Sequence, residues 1–250
     1  MSDAIHAPGD AAPGDAALGG AAPGGPAPGG PATAAGARAE LLAAASSPAW
    51  GSLLPAAPSD AVPRAAAVLI LFGVLDAALA PADAAIARDL DVLLQKRADT
   101  LSSHPGQVSF PGGKAEPGDA DAAATALREA QEETGLDPSG VEVLSVLPEL
   151  PLIASNHRVT PVLGWWRRPS AVAAVDHAET VEVFRMPVAH LLDPAHRFTA
   201  VRRYGDRVFR APAFDVDGTV VWGFTAMVLD GLFEAAGWTV PWDRSVERSV

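Results

Sequence analysis

The chain contains no cysteine. Disulfides and thiolate metal sites are therefore excluded, and any metal must be held by carboxylate, histidine or backbone oxygen. Aromatic residues make up only 6% of the chain, with a single tyrosine. Much of the 49% hydrophobic count is alanine, so the effective core is smaller than that figure suggests. Basic residues are scarce: 18 Lys and Arg stand against 30 Asp and Glu, for a net charge of −12. A chain of that sign is a poor general nucleic-acid binder, because neutralising phosphates takes clustered Lys and Arg. A small phosphorylated ligand held by a local basic pocket and metal ions is still allowed. No apolar run reaches the roughly 18 residues of a membrane span; the longest, residues 65–75, has the length of a buried strand. No basic stretch followed by an apolar one opens the chain, so a secretory signal is not expected and a cytoplasmic location is.

The 250 residues leave room for one good-sized domain plus extra segments. Residues 1–37 are almost entirely Ala, Gly, Pro and Asp, with APGD and APGG repeats. Such a segment buries too little apolar surface to offset its ordering entropy and is expected to be disordered. Residues 38–64 are expected as a linker, with a short helix over 38–45 and a Pro-rich loop after it. The folded domain is expected over 65–240, with a tail over 241–250. Strands are expected at 65–75, 90–97, 107–110, 141–147, 159–166 and 181–187. A strand pair is expected over 197–210 and 213–221, with Asp217-Gly218 as a turn. Helices are expected at 121–134, 188–192 and 222–236, the last with an apolar stripe of Phe224, Met227, Val228, Leu232 and Phe233. Strands mixed with a few helices, without regular alternation, indicate the α+β class.

The densest chemistry lies in residues 112–136, GGKAEPGDADAAATALREAQEETGL. Gly112 and Gly113 are expected as a turn before the helix. Asp119 or Asp121 is placed to cap the helix, and Gly135 to end it. Glu129, Glu132 and Glu133 fall at i, i+3 and i+4, within roughly a 100° wedge of one face. Leu127, Ala130 and Thr134 fall on the opposite side, ready to pack. Like charges so spaced repel, and a hard divalent cation with oxygen ligands relieves them. Arg128 has the fork to hold a carboxylate or touch a phosphate. The paired glycines let backbone approach a ligand closely. Together these point to metal-assisted phosphoryl chemistry. On spacing alone, a solvated acidic helix face stays open as the alternative.

Residues 113–136 resemble a Nudix box, the signature of hydrolases that cut a nucleoside diphosphate linked to another group. Arg128-Glu129, Ala130, Gln131, Glu132-Glu133, Thr134 and Gly135 reproduce its Arg-Glu, aliphatic, variable, Glu-Glu, variable, Gly pattern. At the front, the box's acid ahead of the Arg-Glu pair is represented by Asp119, which is one position further away and Asp instead of Glu. Upstream, Leu93-Leu94-Gln95-Lys96-Arg97, Leu101, His104, Gly106-Gln107-Val108 and Phe110-Pro111-Gly112-Gly113 are similar to the additional motif of coenzyme A pyrophosphatases, with Ala98 where that motif carries Ser. Weaker likeness runs through Val159-Thr160-Pro161-Val162, residues 179–187 and Trp222-Gly223-Phe224-Thr225-Ala226.

This resemblance implies a Nudix fold, a mixed β-sheet between α-helices with the box as a loop–helix–loop. It implies hydrolysis of coenzyme A at its diphosphate, to 4′-phosphopantetheine and adenosine 3′,5′-bisphosphate, with Mg²⁺ or Mn²⁺. Glu129, Glu132 and Glu133 become metal ligands that share base duty, beside Arg128. Glu179 matches a later family acid that ligates metal or orients water, with Glu182 as a nearby alternative. Arg97 is favoured over Lys96 for substrate binding, since successive strand residues face opposite ways and the motif carries Arg97. His104 is either a ligand contact or a local turn residue. Arg202 and Arg203, in a stretch that also holds Arg197, Arg207 and Arg210, are expected to bind the 3′-phosphate or the diphosphate, against the alternative of a solvated strand pair. Trp165, Trp166 and Trp222 are expected in the core. Activity on another dinucleotide such as ADP-ribose or NADH is the same-fold alternative, and a non-catalytic regulatory module the different-class one. Acyl preference, metal number, the base and the oligomeric state (a homodimer among the options) are left open.

Overall fold

The structure, a computed structural model, describes residues 36–53, 63–76, 85–98, 106–152, 156–205 and 207–250. The tail expected to be disordered lies almost wholly outside these residues, and so does His104. Residues 34–250 form one compact unit. Among the described residues no helix is long and apolar enough to cross a membrane.

The central strand β1 (Arg64–Val74) pairs parallel with β7 (His157–Trp166) and antiparallel with β2 (Leu90–Arg97). β2 continues the sheet to β3 (Val108–Ser109) and to β8 (Thr180–Pro187). β7 continues it to β5 (Val141–Val146) and to β6 (Leu150–Leu152). Parallel and antiparallel ladders in one sheet give the mixed arrangement that the sequence implies. β1 carries an unbroken apolar run because both of its faces are covered. Ala67, Leu69 and Leu71 pack with Leu93, Val162 and Trp166 beneath the helix α2 (Ala122–Thr134), against Ala126 and Ala130. Ile70 and Phe72 face the larger core, with Leu90, Val92 and Leu94. That core is closed by Leu41 of α1 (Ala37–Ala45), by Leu191 of α3 (Val188–Leu192), and by Val228, Leu229, Leu232 and Phe233 of α4 (Gly223–Ala235).

Gly112 and Gly113, expected as a turn, belong to a short strand, β4 (Gly112–Lys114), paired antiparallel with β1. A Cβ on Gly112 would lie 2.4 Å from the Ala67 carbonyl oxygen. Gly112 therefore serves close strand–strand approach, a requirement that leaves the same local mark as a turn. The expected pair over 197–210 and 213–221 resolves into three strands: β9 (Arg197–Tyr204), β10 (Arg207–Val216) and β11 (Thr219–Val221). The β9–β10 turn contains Gly205 at φ 56°, inside what looked like one strand. These strands form a second sheet, completed by β12 (Glu247–Ser249), which runs parallel to β9. The packed unit thus extends beyond the expected limits of 65 and 240. Leu41 and Trp50 are buried, Trp238 Nε1 donates to Glu40 Oε2 at 2.6 Å, and the C-terminal stretch is a strand.

In α4 the buried face is Thr225, Ala226, Val228, Leu229, Leu232 and Phe233, while Phe224 and Met227 are only half-buried. Trp165 and Trp166 are core residues as expected; Trp222 is half-buried against the small cluster of Phe198, Ala200 and Ala213.

α2 is set by its ends. Asp121 caps it, accepting from Ala124 N at 2.8 Å, and Gly135 ends it at φ 69°. Alanines on its inner face let it lie close to the sheet. Asp121→Ala is expected to lower stability by about 1 kcal/mol, read by urea unfolding; turnover should be spared, because Asp119 and not Asp121 binds Arg128.

Candidate active site

The acidic edge of α2 meets β4 and the end of β2. Arg128 organises this face. Its Nε and Nη2 reach the two carboxylate oxygens of Asp119 at 3.0 and 3.1 Å, a bidentate fork. Nη2 also donates to the Lys114 carbonyl at 2.9 Å and lies 3.2 Å from Glu129 Oε1, while Nη1 reaches Glu132 Oε2 at 3.0 Å. A guanidinium so engaged positions carboxylates. The Arg128 fork holds the Asp119 carboxyl well below the usual range, aided by the Glu116 N–H. The shifted register of Asp119 is absorbed by the loop, where its Oδ2 also accepts from Glu116 N and Thr125 Oγ1, each at 2.9 Å.

Glu133 is largely buried and faces the sheet. Its Oε2 accepts from Gly112 N at 2.8 Å and from Gln95 Nε2 at 2.7 Å. Burial nevertheless pushes its carboxyl up to about 7, against the lowering effect of those two donors and of the Arg97 charge. Burial also raises Glu129, against the pull of Arg128. The Glu129 carboxylate rests on Gly113, where a Cβ would come within 2.5 Å of its Cδ. Glu132 is mostly exposed and turned toward Arg128. Among the described residues no three His, Asp or Glu side chains close into a metal-binding group. The structure brings Glu129 and Glu133 together over the Gly112-Gly113 strand and leaves Glu132 on its rim.

The donor set nonetheless suits a hard divalent cation. Two partly buried carboxylates one helical turn apart are charged only against a desolvation penalty, which a bound cation would offset. Oxygen-only ligands of this kind match Mg²⁺ or Mn²⁺.

β2 alternates between the two cores. Leu93 packs beneath α2 and Leu94 faces the larger core. Gln95 and Arg97 share the α2 side, and the effect of Arg97 on Glu133 agrees with that placement. Glu179 is exposed in the turn before β8, and its carbonyl accepts from Ala98 N at 2.9 Å, beside Arg97. Glu182 stands opposite Lys96 on the face turned away from α2, since its neighbour Val183 packs beneath α2.

The basic stretch is divided. Arg197 is buried, ion-paired with Asp230 and flanked by the Phe214 and Trp242 rings at 4.4 and 4.6 Å. Arg210 pairs with Glu247 at 2.6 Å. Arg202 lies over the Trp222 ring at 4.9 Å, and Arg203 is exposed next to it on β9. Gln95 was missed as a site residue. Its signal was a polar residue inside the apolar run of β2, in a motif already singled out.

A family model described as the NUDIX domain matches residues 78–205. Nudix hydrolase 15, mitochondrial, of Arabidopsis thaliana is 39% identical over 148 residues, covering 56% of this chain and 51% of that protein. The uncharacterized Nudix hydrolase NudL of Cronobacter sakazakii is 45% identical over 101 residues, 40% of this chain and 52% of that protein. The peroxisomal coenzyme A diphosphatase NUDT7 of Mus musculus is 45% identical over 106 residues, 42% of this chain and 44% of that protein. The chain spans about half the length of the curated relatives it matches.

Proposed function

This chain belongs to the Nudix family, and from that premise we propose that it is a metal-dependent pyrophosphatase that hydrolyses the diphosphate linkage of coenzyme A or its derivatives. The observation that carries the reaction class is the pair of carboxylates, Glu129 and Glu133, seated over Gly112-Gly113 and organised by Arg128. The substrate rests on the motif of residues 93–113 and on the mouse relative, whose name is that of a coenzyme A diphosphatase.

Glu129 and Glu133 would hold Mg²⁺ or Mn²⁺, with Glu132 joining when it leaves Arg128. A divalent ion there neutralises charge on the diphosphate and lowers the pKa of water. The chain itself supplies the rest. Arg128 keeps the acids in place, Gly113 leaves room for Glu129, and Glu179 orients the attacking water or adds a ligand. Arg97 meets the diphosphate on the α2 side of β2. Water adds to one phosphorus, the bridging P–O bond breaks, and the displaced proton passes to a carboxylate. One of Arg202 and Arg203, which point to opposite faces of β9, meets the 3′-phosphate. Replacing both with Ala should weaken coenzyme A more than its 3′-dephospho form; equal loss on the two substrates sinks that role. A cytoplasmic location, the expectation from the sequence, is kept as part of this proposal; the organelle names of two relatives belong to those proteins.

The test is incubation with coenzyme A and Mn²⁺, wild type beside Glu132→Gln, with products separated and weighed. The expected product, with wild type only, is adenosine 3′,5′-bisphosphate beside 4′-phosphopantetheine. Cleavage of ADP-ribose or NADH but not coenzyme A would move the substrate; no diphosphate cleavage at all would overturn the reading.

A further inference from the structure

Gln95 is fully buried yet bridges two elements. Its Nε2 donates to Glu133 on α2 at 2.7 Å, and its Oε1 accepts from Thr180 Oγ1 on β8 at 3.3 Å. An ionised carboxylate only accepts, so it turns the amide nitrogen toward the helix, and the Thr180 hydroxyl then donates to the amide oxygen. We propose that Gln95 and Thr180 form a positioning relay that fixes the Glu179 turn against α2, keeping the acid on that turn in one relation to the Glu133 carboxylate. This rests on the reading of the site as a diphosphate hydrolase.

The pairing of β2 with β8 shows how the relay is built. Lys96 stands opposite Glu182, but Arg97 stands opposite Thr180, so Val181 is an extra residue in a β-bulge. In a regular ladder Val181 would oppose Arg97 on the α2 side and Thr180 would point the other way. The bulge reverses this: Val181 is 44% exposed and Thr180 only 1%. Hydrophobicity alone favours the opposite choice. The bulge therefore delivers a hydroxyl to Gln95 at the cost of exposing a valine, which fits the use of bulges to re-aim side chains beside active sites. The turn is then closed by backbone. Ala98 N donates to the Glu179 carbonyl at 2.9 Å, and Thr180 N to the Asp176 carbonyl at 2.9 Å. Glu179 is thus tied to the end of β2 on one side and, through Thr180 and Gln95, to α2 on the other.

The test uses Gln95→Leu, Thr180→Val, Thr180→Ala and Thr180→Ser in the full chain. Two quantities are read: steady-state kinetics on coenzyme A with Mn²⁺, and amide hydrogen exchange at Ala98 in the metal-free protein. Thr180→Val is expected to lower kcat about 10- to 100-fold with little change in KM, and to speed exchange at Ala98. Thr180→Ala repeats this without added bulk, so a misfolded valine variant does not end the test. Thr180→Ser, which keeps the hydroxyl, should restore both quantities, and Gln95→Leu should speed exchange at Ala98 like Thr180→Val and lower kcat at least as far, since it also removes the Glu133 donor. Unchanged exchange at Ala98 in Thr180→Ala, or a serine variant no better than alanine, overturns the relay. If the wild type cleaves no nucleoside diphosphate derivative, the hydrolase reading fails; exchange at Ala98 still decides whether the relay holds the turn.

Discussion

Glu133→Gln should lower turnover by about 10²-fold or more and, in the same protein without metal, raise stability above about pH 7. The two effects have one source. Burial pushes the Glu133 carboxyl from the ordinary 4.5 to about 7. Between those values the native protein holds a proton that the unfolded chain has released. Stability therefore falls as pH rises through that window, and the full penalty stands above it. The displacement corresponds to roughly 3 kcal/mol. Glutamine carries no charge and still offers an oxygen to the Gly112 N–H, so it escapes the penalty while forfeiting the proposed metal ligand. Urea unfolding of the metal-free proteins at about pH 5 and about pH 8 tests this. Wild type should lose stability between the two, and the variant should lose less. Mg²⁺ should restore the wild type at the higher pH, because a ligand bound only by the native state stabilises it by mass action. A wild type that gains stability over this range without metal would contradict the assignment.

The adjacent glycines should fail in different ways. At Gly112, with φ 155°, an added Cβ would lie 2.4 Å from the Ala67 oxygen and 2.6 Å from Val68 Cα. Both atoms belong to the β1 backbone at the paired register, so relief means breaking that pairing. Gly112→Ala is expected to lower stability by about 2–5 kcal/mol. At Gly113 the Cβ would meet the Glu129 carboxylate, which is the free end of a flexible side chain. Gly113→Ala should therefore leave the melting temperature nearly unchanged and reduce kcat by about 10²-fold, because a carboxylate displaced by an ångström no longer sits where the chemistry needs it. Thermal melts and kcat for both variants separate the two. Full activity in Gly113→Ala would mean that the position of Glu129 does not matter.

The elements most visible in the sequence are those whose reasons are local. α2 declares itself through the Asp121 cap, its alanine face and Gly135. β1 does so through an apolar run of strand length. Short strands such as β6 and β12 carry no such mark, because their three residues are held by ladders to β7 and β9 and not by their own pattern. The tie from α1 to the core was hidden for the same reason: Trp238 meets Glu40 across 198 positions of sequence.

At the active site the sequence by itself determined which acids lie on one wedge of α2 and that Arg128 stands among them, because helix periodicity is a local rule. Only the tertiary structure decided which of those acids meet buried backbone and which stays on the rim. Glu133 is sunk against Gly112 and Gln95, and Glu132 is turned out to Arg128. Their identical chemistry is divided by what the sheet places opposite each one. Which side chains of β8 face α2 was also beyond the sequence, since a single bulged residue at Val181 reverses the alternation. Parity along a strand is fixed only when its partner is known, and that partner lies more than 80 positions away.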